Sequence, residues 1–400
     1  MHTMKLLQNL IEKSSPSIHK KRLSCLLDVV GSLLDVSKLW ISALGRHIKN
    51  NTSEKHNIKK VDTLIGNGRL HQERILFYKM VSQLIIGSKK HPVILVDWSM
   101  ISPKTSHYFL RASVAMKGRA HTLYEEVHPL NCYANSTIHR TFLNTLKCIL
   151  PQDCIPIIIT DAGFRNPWFR AILDLGWHFI GRLRYQTRIQ QVGDSDEWIP
   201  VKNFHSQVGN TANYMGKFLV ARTKPLEVNM YSVKQKKRYR LKKTKLGQKC
   251  QSGHSKKHAK GAQEPWILMT SLPHRHSSAE KVVKLYQQRM QIEESFRDLK
   301  NKRDGFRLSE SGTSNIKRLE NLLLIALLAT FVVWLTGIIA IQKQWHYQMQ
   351  ANTVRDRAVL SIFFIGLRVF KKPKQFHLNI TELYDAINLL KQLVIHEEII

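Results

Sequence analysis

Twenty consecutive residues, Leu322 to Ile341 (LLLIALLATFVVWLTGIIAI), carry no charge, and that run restricts the fold more than any other feature. A segment of this kind either crosses a bilayer, whose hydrocarbon takes about 20 apolar residues of helix, or forms a helix that a core covers on every side. Lys317 and Arg318 precede it, Lys343 follows it, and long basic stretches lie beyond both ends. A single span amid so much basic sequence is an odd design, so we expect a helix buried between domain layers and no membrane contact. Thr330, Thr336 and Gly337 suit close packing there. The N-terminus, MHTMKLLQNLIEK, includes an acidic residue and no sustained apolar core, which is not the pattern of a signal peptide. A chain of 400 residues is expected to hold two or three domains.

Charge narrows the partners. Lys and Arg number 62 against 29 Asp and Glu, a formal net charge of +33. Such an excess repels itself in a compact state and calls for a polyanion, with nucleic acid the natural one. The five cysteines, Cys25, Cys132, Cys148, Cys154 and Cys250, are odd in number and scattered, and none lies in a C-x-x-C. They read as reduced thiols of a cytosolic protein. Cys250, His254 and His258 have an interval that zinc can use, yet they supply three ligands where a structural site takes four.

Texture divides the chain. Residues 1–85 read as helices, in which SKLWISALGRHI (Ser37 to Ile48, with a cap at its start), a polar break and a basic amphipathic run resemble a helix-turn-helix. We expect a helical DNA-binding region there. Residues 90–185 hold strands at PVILVDWS, HYFLRASVAM, HTLYEEV, IPIIITDAGF and HFIGRLR, with helices at STIHRTFLNTLKCIL and RNPWFRAILDLGW. That is a mixed α/β core. Residues 186–273 switch to short alternating strands and include the basic insert Lys234 to Gln263. Residues 274–345 return to helices as a second part of the core, and 346–400 form a helical C-terminal region.

Two of the apolar strands end in an acid, Asp97 and Asp161. As neighbours in one sheet they would bring both carboxylates to one edge. The stretch YQQRMQIEESFRDLK is expected to be one continuous helix. At about 100° per residue, Tyr286, Arg289, Glu293 and Lys300 fall within an arc of roughly 60°. Val282, Val283, Leu285, Met290, Ile292, Phe296 and Leu299 form the opposite, apolar side. The stripe therefore joins one carboxylate to three groups that hold phosphate. Asp97, Asp161 and Glu293 supply three hard oxygen donors, the set that Mg²⁺ needs when substrate phosphate and water complete its shell. Glu294 lies about 100° further round and is the weaker choice.

These residues also carry a resemblance. VDWS with Asp97, TDAGF with Asp161, and Tyr286-x2-Arg289-x3-Glu293-x6-Lys300 resemble the DDE transposases of bacterial insertion sequences. More narrowly they are similar to the Y-R-E-K group that includes the transposon-ten and transposon-five enzymes. KHNIKKVDTLIGN, LRASVA, DAGFRNPW, QRMQIEESFRDLK, LLIAL and QANTVRDRAVLS extend the likeness, in its transposon-ten form, over nearly the whole chain.

The resemblance implies an RNase H-like catalytic core of α/β class, interrupted by a β-strand insertion. It implies metal-dependent cleavage at transposon ends through a hairpin, followed by strand transfer into target DNA. Asp97, Asp161 and Glu293 become the catalytic metal ligands for Mg²⁺, with Mn²⁺ as a substitute, and Tyr286, Arg289 and Lys300 become phosphate contacts. Trp266, in EPWILMT, becomes the ring that stacks on a flipped base; read without the resemblance it is a core residue. Trp98 reads as packing, and Trp168 is open. The implied partners are transposon-end and target DNA, a second copy of the chain in the synaptic complex and a host DNA-bending protein, in a nucleoid-associated cytoplasmic setting. The competing readings are an RNase H-like nuclease without strand transfer and an end-binding protein without catalysis.

Overall fold

A computed structural model describes residues 2–102, 106–193, 196–235, 253 and 264–398. Most of the basic insert, with Cys250, His254 and His258, lies outside the described residues. In chain order the helices and strands begin with α1 (His2–Ser14), α2 (Lys20–Val36), α3 (Ile41–Arg46), α4 (Glu54–Ile65) and α5 (Gly68–Ile86). β1 (Val93–Ser102), β2 (His107–Val114), β3 (His121–Pro129) and α6 (Ser136–Ile149) follow. Next come β4 (Ile157–Ile159), α7 (Asn166–Asp174), β5 (His178–Leu183), β6 (Arg188–Gln191), β7 (Ile199–Pro200), β8 (Asn213–Val220), β9 (Leu226–Val233) and β10 (Trp266–Thr270). The last helices are α8 (Ala279–Gln287), α9 (Met290–Lys300), α10 (Ile316–Gln342), α11 (Ile362–Phe370) and α12 (Ile380–Leu393). Helices flank mixed strands, so the fold is α/β, of RNase H-like type as expected.

The chain divides into two compact units. Met1–Pro156 with Met290–Glu398 form the first, and Ile157–Arg289 supply the described part of the second. In the first unit the uncharged run lies in α10, whose most apolar window is 94% buried. It is a core helix, as its flanks predicted. α2, α5, α11, α12 and β3 pack around it. Where α10 crosses α11 the backbones touch: a Cβ on Gly337 would strike the Ile362 carbonyl, and one on Gly366 would strike that of Val333. Only glycine permits that approach. The polar start of α10 is used too. Glu320, 5% exposed, accepts from the Val127 backbone N–H at 3.0 Å and pairs with Arg74 at 3.3 Å and His71 at 2.5 Å. One carboxylate thus ties α10 to β3 and α5, and a buried charge persists only with such partners.

β1, β2 and β3 form an antiparallel meander in this unit. β1 continues five residues past Asp97, to Ser102. Asp97 is therefore a mid-strand residue, where we expected a strand end, because Trp98, Ser99, Met100 and Ser102 still find partners on β2. Ser37 also departs from expectation. It has φ 54 and closes the C-terminus of α2 by donating its N–H to the Leu33 carbonyl, and α3 starts only at Ile41.

In the second unit the strands run β4-β5-β10-β9-β8-β6-β7. β4 and β5 are parallel, and β10 is antiparallel to both β5 and β9. Asp161 follows β4 by two residues, at a strand end as expected.

The expected continuous helix around Glu293 is two helices. α8 ends at Gln287 and α9 begins at Met290. Between them the Gln288 N–H bonds Leu285 O and the Arg289 N–H bonds Tyr286 O, at 3.0 and 3.1 Å. This tighter spacing ends the α-helical ladder. The narrow stripe is therefore broken, although Glu293 and Lys300, both on α9, still share a face two turns apart.

Candidate active site

Strand register builds the floor of the site in the first unit. Asp97 on β1 faces Arg111 on β2, and Arg111 faces Glu125 on β3. Because side chains alternate along a strand, these three form a row on one face. Arg111 and Glu125 are 3% and 1% exposed. Arg111 Nε donates to Glu125 Oε2 at 2.8 Å, and Nη1 donates to Ser295 Oγ on α9 at 3.2 Å. Burial pushes the Glu125 carboxyl up, and Arg111 pulls it back down. Neither charge would persist there without the other.

α9 lies on this face. Phe296 meets Phe109 edge to face with centroids 5.2 Å apart. Lys300, at the helix end, donates from Nζ to Ser99 Oγ at 2.6 Å and to the Met100 carbonyl at 3.1 Å. Ser99 is two residues beyond Asp97, so it is on the same face. Burial and the Arg111 charge lower the Lys300 amine to about 8, and the nearby Asp97 carboxylate opposes them. Glu293 is exposed in the first turn of α9, where the positive end of the helix favours a carboxylate. Asp97 is half-buried, and its Oδ1 accepts the Trp98 N–H at 2.8 Å.

Trp98 points to the opposite face. Its Nε1 donates to His139 Nε2 on α6 at 3.1 Å, and burial lowers His139 to about 4, which keeps the ring neutral and able to accept. Trp98 is packing, as read from the sequence.

The second unit holds the other marked residues. Asp161 is half-buried, and its Oδ1 accepts the Gly163 N–H at 2.8 Å, the local turn that short acids favour. Trp266 opens β10, and its ring meets that of Tyr286 on α8 at 5.0 Å. Tyr286 is 3% exposed, so it is a buried support, and its place on an open polar stripe is not found. Burial lowers Arg182, with the charge of Arg289 among the further causes, while Tyr286 and Glu264 act against it. Arg184 Nη2 pairs with Glu264 at 2.8 Å. Trp168 is buried at 1%, against Phe164.

Sequence reasoning missed Arg111, Glu125, Ser99, Arg182 and Arg184. The first pair had left a signal: an arginine inside HYFLRASVAM and acids inside HTLYEEV are complementary charges in consecutive apolar strands. The roles of the others depend on which strand is adjacent, which local pattern does not reveal.

Among the described residues, no three His, Cys, Asp or Glu side chains stand close enough to hold a metal ion. By chemistry, Asp97, Asp161 and Glu293 still suit a hard divalent cation: all three are carboxylates and each is at least partly open to solvent.

No curated relative matches this sequence. A profile of the transposase DDE domain matches residues 88–331, more than half of the chain. The matched region starts before β1, contains Asp97, Asp161 and Glu293, and ends inside the buried helix. With its excess of basic residues and its α/β core, the chain belongs to the DDE transposase family.

Proposed function

We propose that this transposase cuts at its element's ends, closes them through a hairpin intermediate and joins them to target DNA, in the manner of the Y-R-E-K group. DDE transposases act on DNA and use divalent metal ions. Here the ion is Mg²⁺, held by Asp97, Asp161 and Glu293, and when bound it supplies activation of the attacking oxygen and stabilisation of the leaving one. The observation that carries this reading is the placement of Lys300. Its amine is anchored on Ser99, beside Asp97, on the helix that bears Glu293. A cation there holds a strand's phosphate against the acids. Arg289 adds a second phosphate contact, and Trp266, backed by Tyr286, offers a ring to an extruded base.

Residues 1–85 serve end recognition. α3 and α4 cross closely enough that a Cβ on Gly45 would meet Ile58, the tight crossing that helix-turn-helix units use. Two copies, one per end, form the synaptic complex, with a host DNA-bending protein as an auxiliary, in the nucleoid of the cytoplasm.

The test mixes purified protein with a labelled duplex carrying the terminal repeat, a target plasmid, and Mg²⁺ or EDTA. Hairpins and joined DNA that depend on Mg²⁺ are expected. Asp161→Asn should lower cleavage about a hundredfold or more, since even outer partners of metal ligands cost 10–100-fold, and should leave end binding intact. Cleavage at the normal rate by this variant would refute the assignment. Nicks without joining would point to a nuclease.

A further inference from the structure

Glu293 occupies the first turn of α9, just after the change of hydrogen-bond spacing at Gln288 and Arg289, and the direction of a side chain on a first turn depends on what holds that turn. A ligand at such a place needs an external restraint. Gln291, two residues earlier, supplies one. Its Nε2 donates to the Met116 carbonyl at 2.8 Å, and its Oε1 accepts the Met116 N–H at 3.1 Å. Both polar groups of one backbone residue are thus bound by one side chain.

Met116 lies in the turn between β2 and β3 and is fully buried. On one side it bridges Val394. There the Lys117 N–H bonds Leu393 O and the Ile395 N–H bonds Ala115 O, at 2.8 and 2.9 Å. In an antiparallel ladder the residue between two such bonds turns its own N–H and C=O to the opposite edge. Among the described residues no further strand meets that edge at Met116, and the Gln291 carboxamide takes the strand's place. Its carbonyl oxygen and one of the two N–H groups of its amide supply an acceptor and a donor at the spacing of a peptide group. Other polar contacts continue along α9 at helical spacing: Ser295 accepts from Arg111, and Asp298 accepts from Arg119 at 2.7 Å. Gln291 makes its contact within the turn that carries Glu293, and Arg119 adds one to the Glu294 carbonyl at 3.2 Å.

We propose that Gln291 is a positioning residue for Glu293: by completing the backbone pairing of Met116 it fixes the first turn of α9, and with it the direction in which the Glu293 carboxylate meets the metal ion. The inference rests on the reading of Glu293 as a ligand. Gln291 itself touches neither metal nor DNA in this account. Its loss should weaken metal binding while leaving recognition of the end unchanged.

The experiment compares full-length wild type, Gln291→Leu, Gln291→Ala, Glu293→Gln and Ser82→Ala, each bound to the end duplex. Ser82 bonds the Leu123 carbonyl at 3.2 Å in the interior, so its variant controls for loss of a buried hydrogen bond elsewhere. Mn²⁺ binding is read by electron paramagnetic resonance, Mg²⁺ dependence by cleavage, and the Met116 amide by hydrogen exchange. Both Gln291 variants should bind Mn²⁺ about tenfold more weakly, as outer partners of ligands do. Half-maximal cleavage should need correspondingly more Mg²⁺, saturating Mg²⁺ should restore the rate, and Met116 exchange should quicken. Ser82→Ala should change none of these. Normal Mn²⁺ affinity in Gln291→Leu with an unprotected Met116 amide would overturn the proposal. So would an equal loss in Ser82→Ala, or a loss of cleavage that excess Mg²⁺ fails to restore. Unchanged Mn²⁺ affinity in Glu293→Gln would instead remove the ligand assignment beneath it.

Discussion

The ring of Trp266 meets the ring of Tyr286 edge to face, with centroids 5.0 Å apart and planes at 77°. One residue opens a strand and the other lies on a helix, twenty positions later in the chain. Tyr286 is buried while Trp266 is only partly so. The tyrosine therefore stiffens the tryptophan and leaves part of the indole open.

On the proposed hairpin route, an open indole of this kind should matter at the step that extrudes a base. Trp266→Ala is expected to slow hairpin formation by about five- to a hundredfold, equivalent to the loss of about 1–3 kcal/mol of stacking. The first nick should proceed at the normal rate. Single-turnover assays on denaturing gels separate the two steps.

Lys300 sets a pH limit. Its amine is lowered to about 8, so it is charged below that pH and neutral above it. On the proposed role of Lys300 as a phosphate contact, that holding is complete at pH 7 and fades as the pH rises. In kcat/KM, which reports the free enzyme, cleavage should fall about tenfold by pH 9, where about one lysine in ten remains charged. Lys300→Arg keeps its charge throughout and should lack this alkaline fall, even if its absolute rate is lower.

Removing one member of the buried pair should cost more than removing both. Arg111→Met leaves Glu125 buried without its cation, an expected loss of about 3–5 kcal/mol. Adding Glu125→Leu should recover most of it. Urea unfolding of the single and double variants measures the difference, and a single variant as stable as wild type would show that the pair is not needed.

The α10–α11 crossing gives a separate test. Gly366→Val puts a branched side chain against the Val333 backbone, and overpacking of this kind costs about 1–3 kcal/mol, more where backbone must move. The variant should unfold several degrees below wild type, read by circular dichroism. Gly68, with nothing within 4 Å of its position, should accept alanine without that loss.

Much of this was legible in the chain because it depends on local pattern. The uncharged run and its basic flanks favoured a buried helix over a bilayer span, and α10 is buried. Alternation marked β2 and β3, and helical spacing with flanking polar residues marked α6 and α7. What failed depended on neighbours. Asp97 looked terminal because the apolar run stops there, yet pairing with β2 carries the strand further. Periodicity ran on through Gln288 and Arg289, whereas the hydrogen bonds change spacing at that point. The Asp97–Arg111–Glu125 row was out of reach for the same reason, since a register is a relation between strands and a sequence shows strands one at a time.

The first unit also has an order of manufacture. Its N-terminal helices α2 and α5 pack on α10, which begins 230 positions after the end of α5, counted from Ile86 to Ile316. While the ribosome is still making the middle of the chain, α2 can pack on α3 and α4, and α5 on β3 and α6, but the part of each that meets α10 waits for a segment not yet synthesised. A message cut short before α10 therefore yields no finished core.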